Sequence, residues 1–279
     1  MTAEDPKNDA VFNEEWVLHR RFDRMGRLLG DQAMQRLLSA HVVVVGMGGV
    51  GSFAAEALVR SGIGHLTLVD FDLICITNSN RQLHAMQGTI GHPKVEVMAE
   101  RLLLINPKAR IDTHFMFYEA GQESLLLAGA PHFVVDAIDN LTAKCHLLST
   151  CKAQRLPVIT CTGSANKLDP TQIRIAELSL TTIDPLAREV RSILRKQHGF
   201  PQEGPMGIPA FYSTEPPRTP VGLAYDAGAF SCICPQGNNE HHSCERRHQI
   251  NGTAGFVTGA FGLAAAAYVV QSLATPAAV

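Results

Sequence analysis

The hydrophobic and polar positions change period several times along the chain, and each change predicts an element. Between residues 14 and 39, EEWVLHRRFDRMGRLLGDQAMQRLLS places Phe22, Met25, Leu28 and Leu29, then Met34, Leu37 and Leu38, at helical spacing, with Gly30 as a break. That predicts two short helices. The β-branched run at 42–45 predicts a strand, and Gly46, Gly48, Gly49 and Gly51 follow it at the start of an Ala/Leu helical pattern. A second strand ends in Asp70. Further on, the pattern predicts a helix over 93–105 begun by Pro93, strands over 113–117, 132–136 and 157–160, and helices over 123–127 and 140–155. Strands alternating with helices predict an α/β fold with a doubly wound, mostly parallel sheet and a Rossmann-like nucleotide site.

Beyond Gly163 the character changes to a C-terminal mixed region. Residues 173–178 alternate like a strand, and 184–198 read as a helix begun by Asp184-Pro185 and ended by Gly199. A Pro/Gly-rich stretch over 201–222 predicts no element, and the Cys- and His-bearing loop after it is expected to be functional or mobile. Residues 14–163 thus read as a nucleotide-binding core and 164–274 as a substrate-binding region with a closing helix, together one continuous domain. The uncharged stretch 252–274 is long enough to span a bilayer. Its Gly/Ala/Thr content and the lack of a basic C-terminal flank favour a buried helix, so no stable membrane association is expected.

Composition narrows the function classes. A chain of 279 residues buries a full core, and a net charge of −2 argues against a globally basic nucleic-acid binder while leaving room for a local patch. The first ten residues lack the apolar core of a secretory signal, so a cytoplasmic location is expected. Seven scattered cysteines, an odd number, fit a reduced compartment better than a disulfide framework.

The glycine run carries the first chemistry. Gly46 allows a tight turn, Gly48 lets backbone approach a phosphate, and Gly51 lets the helix pack on the strand with its N-terminus facing an anion. Asp70 stands where an acidic residue takes ribose hydroxyls. NAD, FAD and ATP all carry that ribose. After Asp70 comes a polar and basic run, Asp72, Asn78, Arg81, Gln82 and Lys94, expected at the C-terminal ends of strands, where open α/β sheets bind ligands. An arginine fork and a lysine point charge suit a triphosphate losing pyrophosphate; any one of these residues alone reads rather as solvated loop, and together they favour the phosphate reading.

The ordered motifs RRFDR (20–24), GMGGVGS, VDFD, NSNRQ, GHPK and DAIDN resemble the ubiquitin-activating-enzyme superfamily, including its ThiF-like and molybdopterin-synthase adenylyltransferase members. The resemblance covers about residues 18–160. It implies ATP with magnesium, and attack of a substrate carboxylate on the α-phosphate to give an acyl-adenylate. By position, the catalytic residues would be Arg24, Arg81, Lys94 and Asp139. Gly46, Gly48, Gly49, Gly51, Asp70, Asp72, Asn78, Gln82 and Asn140 would complete the nucleotide site. Asp139 would hold magnesium, a role compatible with capping the helix that begins at Asn140. Arg24 would reach the phosphates of a partner subunit, which implies a homodimer.

Within that superfamily, TGSANKLDPTQIRIAEL, DPLAREVRSILRKQHG, FYSTEPP and NGTAGFVTGAFGLAAA resemble the tRNA threonylcarbamoyladenosine dehydratases over about 160–270. That implies ATP-dependent cyclisation of a threonylcarbamoyl group beside the tRNA anticodon, with a cysteine desulfurase and its sulfur acceptor as associated proteins and Cys234 as the contact candidate. The alternative is an adenylyltransferase for the C-terminus of a small ubiquitin-like sulfur-carrier protein. Such enzymes usually hold zinc on two CxxC pairs, whereas Cys232, Cys234 and Cys244 are spaced CxC and ten residues on, with His241, His242 and His248 nearby. A mixed Cys/His site or a plain surface loop are both open there. A nucleotide-binding scaffold without activity would need none of the four catalytic candidates. On the 184–198 helix, Arg188, Arg191 and Arg195 fall on one stripe beside Lys196, which reads either as tRNA phosphate contacts or as a solvated face.

Overall fold

In the computed structural model, which describes residues 17–127, 129–223, 235 and 250–275, a 3-10 turn (Arg20–Phe22) leads into helices α1 (Asp23–Leu29) and α2 (Asp31–Ser39), separated at Gly30. Then come β1 (His41–Val45), α3 (Gly51–Arg60), β2 (His65–Asp70), α4 (Lys94–Ile105), β3 (Arg110–Phe115), α5 (Glu123–Leu127), β4 (Phe133–Asp136), α6 (Leu141–Ala153) and β5 (Val158–Cys161). The later region adds β6 (Ile173–Glu177), α7 (Pro185–Gln197), β7 (Pro209–Ser213) and α8 (Gly255–Ala274). One sheet runs β3-β2-β1-β4-β5-β7-β6, parallel throughout except for the β6–β7 pair. Strand order reverses between β1 and β4, which puts a crevice at the C-terminal ends of those strands.

The valine run explains why β1 is central. Val42 and Val44 enter one core with α2, α3, α4 and α8, while Val43 and Val45 enter the other with α5, α6 and α7. A strand buried on both faces needs an unbroken apolar run. The uncharged stretch forms α8, long and apolar enough to cross a membrane by length and composition, with half of its most apolar window buried. Its Val257, Phe261, Ala265 and Val269 close the first core. A Cβ at Gly262 would lie 2.3 Å from the Val50 carbonyl oxygen, so only glycine lets α8 approach α3 this closely.

Two expectations are corrected. The Pro/Gly-rich 201–222 stretch contains β7, a buried strand inserted between β5 and β6. Its sequence PAFYS neither alternates nor runs apolar for long, so its stability comes from pairing on both sides. The third strand spans 110–115, not 113–117, because it lies at the sheet edge and is half exposed, which erases a clear apolar signal. Because β5 pairs with β7, the sheet continues across residues 163 and 164.

Candidate nucleotide site

The glycine turn closes on itself. Gly46 has φ +94° and donates its N–H to Val69 O at 2.8 Å, and a Cβ at Gly51 would lie 1.7 Å from Gly46 O. No side chain fits at either position. A Cβ at Gly48 would meet nothing nearer than Gln82 Nε2, 4.0 Å away, so the backbone there is open to a ligand. Gly49 lies under the Arg81 stem and the Thr258 hydroxyl of α8.

Asp70 ends β2 and fastens the turn. Its Oδ2 accepts from Met47 N at 2.6 Å and its Oδ1 from Asp72 N at 2.8 Å. Lys94, the first residue of α4 and 4% exposed, lies 2.6 Å from Asp72 Oδ2 and 3.9 Å from Asp70 Oδ1. Burial pushes the Asp70 carboxyl above its ordinary value, against the pull of the Lys94 ammonium. Burial disfavours the Lys94 ammonium as well, but Asp70 and Asp72 outweigh it and hold Lys94 above its ordinary value. Asp139, exposed just after β4, adds to that hold, so its charge is felt at Lys94.

The loop after β2 is built by its own side chains. Asn78 Oδ1 accepts from Cys75 N at 3.0 Å, and Asn78 O accepts from both Arg81 N and Gln82 N at 3.0 Å. Arg81 Nη1 donates to Thr77 O at 2.9 Å and to Asn80 Oδ1 at 3.0 Å. His84, fully buried, bonds Gln82 Oε1 through Nε2 at 3.0 Å, and burial pulls its imidazole down to about 3. The neutral ring orients the Gln82 amide, whose nitrogen faces Gly48. Sequence reading overlooked His84, and only its two-residue spacing from Gln82 hinted at it.

The ThiF family model matches residues 22–278. The chain belongs to the ThiF family. It is similar to the tRNA threonylcarbamoyladenosine dehydratase of Haemophilus influenzae, 42% identical over 91% of this chain and 93% of that protein. Crystal structures of the E. coli tRNA N6-threonylcarbamoyladenosine dehydratase in complex with ATP and with AMP are 34% identical, cover 92% of this chain and 97% of theirs, and give TM-scores of 0.78 and 0.80. Likeness to the molybdopterin-synthase adenylyltransferase of Salmonella typhimurium is 33% and confined to 57% of this chain and 59% of that protein.

Against the ThiF family pattern, the described residues bring together the glycine turn, Asp70, Asp72, Asn78, Arg81, Gln82, Lys94 and Asp139 at one sheet edge. Arg24 is elsewhere. It is exposed on α1, beside Phe22, which packs near Gly62 after α3, and Arg21, which bonds Asn106 Oδ1 after α4 at 3.1 Å. Those neighbours mark the edge where strands begin, opposite the glycine turn. Asn140, not Asp139, caps α6, accepting from Ala143 N at 3.1 Å. That leaves Asp139 without the capping role and commits the Asn140 carbonyl to one.

Sequence reading also missed a sealed network next door. Lys144 Nζ bonds Asp136 Oδ2 at 2.7 Å, Thr160 Oγ1 at 3.2 Å and Cys161 O at 3.0 Å, and neither Lys144 nor Asp136 is exposed. The partners lie on β4, α6 and β5, too far apart in sequence for spacing to join them. On α7, Arg191 Nη1 bonds Thr181 O at 3.1 Å and also the Thr181 hydroxyl, while Arg195 Nε bonds Pro201 O at 3.2 Å. Ala187, Val190 and Leu194 form the buried face of that helix. Cys232, Cys234, Cys244, His241, His242 and His248 lie outside the described residues. Among the described residues no group of three or more His, Cys, Asp or Glu is placed to hold a metal. The described cysteines are buried, and burial pushes Cys145 up to about 11 and Cys151 and Cys161 up to about 12, which favours the thiol over the thiolate at those three positions.

Proposed function

We propose that this chain is an ATP-dependent dehydratase that cyclises the threonylcarbamoyl group of threonylcarbamoyladenosine in tRNA. The observation that carries the reading is likeness over nine-tenths of the chain to a dehydratase crystallised with ATP and AMP. The sulfur-carrier alternative is favoured by no comparable span, since likeness to an adenylyltransferase stops after little more than half the chain.

In this reading the α- and β-phosphates lie on the open backbone at Gly48 and the α3 N-terminus. The free lone pairs of Asp70 and Asp72 accept from the ribose hydroxyls. Arg81, Lys94, Asn78 and Gln82 face the phosphates, and Lys94 exchanges its Asp72 partner for a phosphate oxygen. The side-chain carboxylate of the substrate attacks the α-phosphorus, the bond to pyrophosphate breaks, and an acyl-adenylate forms. An internal nitrogen then attacks the acyl carbon, loses its proton, and releases AMP carrying one carboxylate oxygen. The net change removes one water at the expense of ATP. Cations fixed in advance near the leaving pyrophosphate lower that barrier because they need no reorganisation as charge develops.

The Asp139 carboxylate, exposed and acting electrostatically on Lys94, fits magnesium, which keeps one or two carboxylates and completes its shell with phosphate oxygens and water. That ion would neutralise phosphate charge. Asn140 supplies its amide N–H groups, since its carbonyl caps α6. The distance of Arg24 from its own glycine turn supports action across a homodimer. We assign the enzyme to the cytoplasm without stable membrane association. A cysteine desulfurase with its sulfur acceptor is the further partner, with Cys234 as the contact.

The test offers ATP and magnesium with tRNA carrying threonylcarbamoyladenosine, or with a carrier protein ending in glycine. The expected result is AMP release with the tRNA alone, together with loss of one water from the modified nucleoside. AMP release driven by the carrier tail, with none from tRNA, overturns the proposal.

A further inference from the structure

The α7 stripe is a built concavity. Arg188, Arg191, Ser192, Arg195, Lys196 and Gln202 line a cavity of about 320 Å³ between the helix and the chain that returns after it. That return is tied down on both sides. Gly199 turns the chain with φ +70°, Arg195 Nε donates to Pro201 O at 3.2 Å, and Gln202 Nε2 donates back to Arg195 O at 3.0 Å. Phe200 is buried, and its N–H bonds Leu194 O at 3.3 Å. Arg191 is fixed from the other side by the Leu178–Thr181 turn. The walls, Arg191 and Arg195 are in place before any ligand arrives.

The charges in this cavity do not balance. Four cationic side chains face it, and among the described residues the one carboxylate in ion-pair contact with them is Glu189, 3.5 Å from Arg188 and with both side chains more than half exposed. A pair that open to water contributes little. Asp184 and Glu177 act on Arg191 only from further away, and burial followed by the Arg195 charge pushes Arg191 below its ordinary value. A protein with net charge −2 has no need of four crowded cations for solubility.

The position adds the second half of the argument. Asp184 caps α7 by accepting from Ala187 N at 2.9 Å, and its other oxygen accepts from Thr162 Oγ1 at 3.1 Å, at the C-terminal end of β5. So α7 starts at the sheet edge that carries the glycine turn. At a rise of about 1.5 Å per residue, the stripe begins about one turn from that edge and extends about 10 Å, enough for more than one phosphate.

We infer that Arg188, Arg191, Arg195 and Lys196, with Gln202, form a docking pocket for the phosphodiester backbone of the tRNA substrate, holding it beside the sheet edge that activates it. This rests on the proposed function. Arginine forks match phosphate oxygens bidentately, and such contacts position the RNA without reading its sequence.

The test compares the parent with an Arg188→Gln/Arg195→Gln/Lys196→Gln variant of the full chain, leaving Arg191 to hold its turn. Binding of tRNA is titrated at several salt concentrations, and ATP binding is followed in parallel. The expected result is tRNA affinity weaker by at least about tenfold at moderate salt, and a log–log salt slope shallower by about 0.7–0.9 for each phosphate no longer neutralised. ATP affinity stays within about twofold, since no altered residue touches the nucleotide site. Unchanged tRNA affinity and slope overturn the inference, as does weaker binding with an unchanged slope, or a polyglutamate peptide that competes as well as RNA. If the parent releases AMP with modified tRNA while the variant binds like the parent, the pocket fails and the dehydratase reading stands. A parent that neither binds tRNA nor releases AMP overturns both.

Discussion

Buried lysine–aspartate pairs stand at the ends of β2 and β4, the strands on either side of β1, and their differences separate a sealed structural charge from one proposed to act on phosphate. Lys144 gives its ammonium to three acceptors, Asp136, Thr160 and Cys161 O, and Asp136 in turn accepts from Thr160 Oγ1 at 2.6 Å and Ile138 N at 3.1 Å. No atom of that pair is exposed. Lys94 has one close partner, Asp72, whose side chain is 32% exposed, and a second, Asp70, at 3.9 Å. Its network is open to solvent at Asp72. Burying a charge costs several kcal/mol whatever its purpose, so burial alone does not identify function. The incomplete partner set is what supports the role proposed for Lys94, because it leaves an ammonium able to change partners for a phosphate.

The comparison can be broken by removing each lysine. Lys144→Met strands the Asp136 carboxylate in a sealed core, and the expected loss is about 3–5 kcal/mol of unfolding free energy, measured by denaturant titration. Placing the same change in an Asp136→Asn background, which keeps an acceptor for Ile138 and a donor for Thr160, should recover more than half of it. Lys94→Gln should instead lower AMP formation about 10²–10³-fold, the usual cost of one preorganised electrostatic donor, with a smaller stability loss because water reaches Asp72.

The open site also carries a pH signature. His84 is held neutral, at about 3 in the folded chain against 6.5 for the ordinary imidazole. Unfolding therefore takes up a proton between these values. Its contribution to stability is full above pH 6.5 and falls, by up to about 1.4 kcal/mol per unit, as the pH drops toward 3. His41, pulled down to about 4 by burial and then by His65, titrates in the same window at the opposite sheet edge, so His84→Asn should flatten the acid limb without abolishing it. The smallest effect on folding belongs to Asp139→Asn. That side chain is exposed and caps nothing, so unfolding should stay within about 0.5 kcal/mol of the parent while AMP formation falls at least tenfold at limiting magnesium.

How far this contrast could be read from sequence depends on how local its determinants are. The glycine turn, Asp70 and the start of α4 just after Pro93 were legible because turn chemistry and helix caps act over a few residues. The candidate phosphate residues were legible for the same reason, as a polar run between a strand end and a helix start. The Lys144 network was not, since its carboxylate, hydroxyl and carbonyl come from two strands and meet only after β4 and β5 pair. β7 was hidden because PAFYS takes its strand character from neighbours on both sides and sits among residues that read as punctuation. Asp139 and Asn140 both suit a helix cap, and the choice between them is made by backbone geometry at the end of β4.

The most direct test of the contrast is AMP release with ATP, magnesium and threonylcarbamoyl-bearing tRNA, measured for Lys94→Gln and Lys144→Met and corrected for the folded fraction of each. The account predicts that Lys94→Gln stays folded and loses at least about a hundredfold in rate, while Lys144→Met, per folded molecule, keeps the parent rate within a few-fold. A folded Lys94→Gln protein working at the parent rate would contradict it.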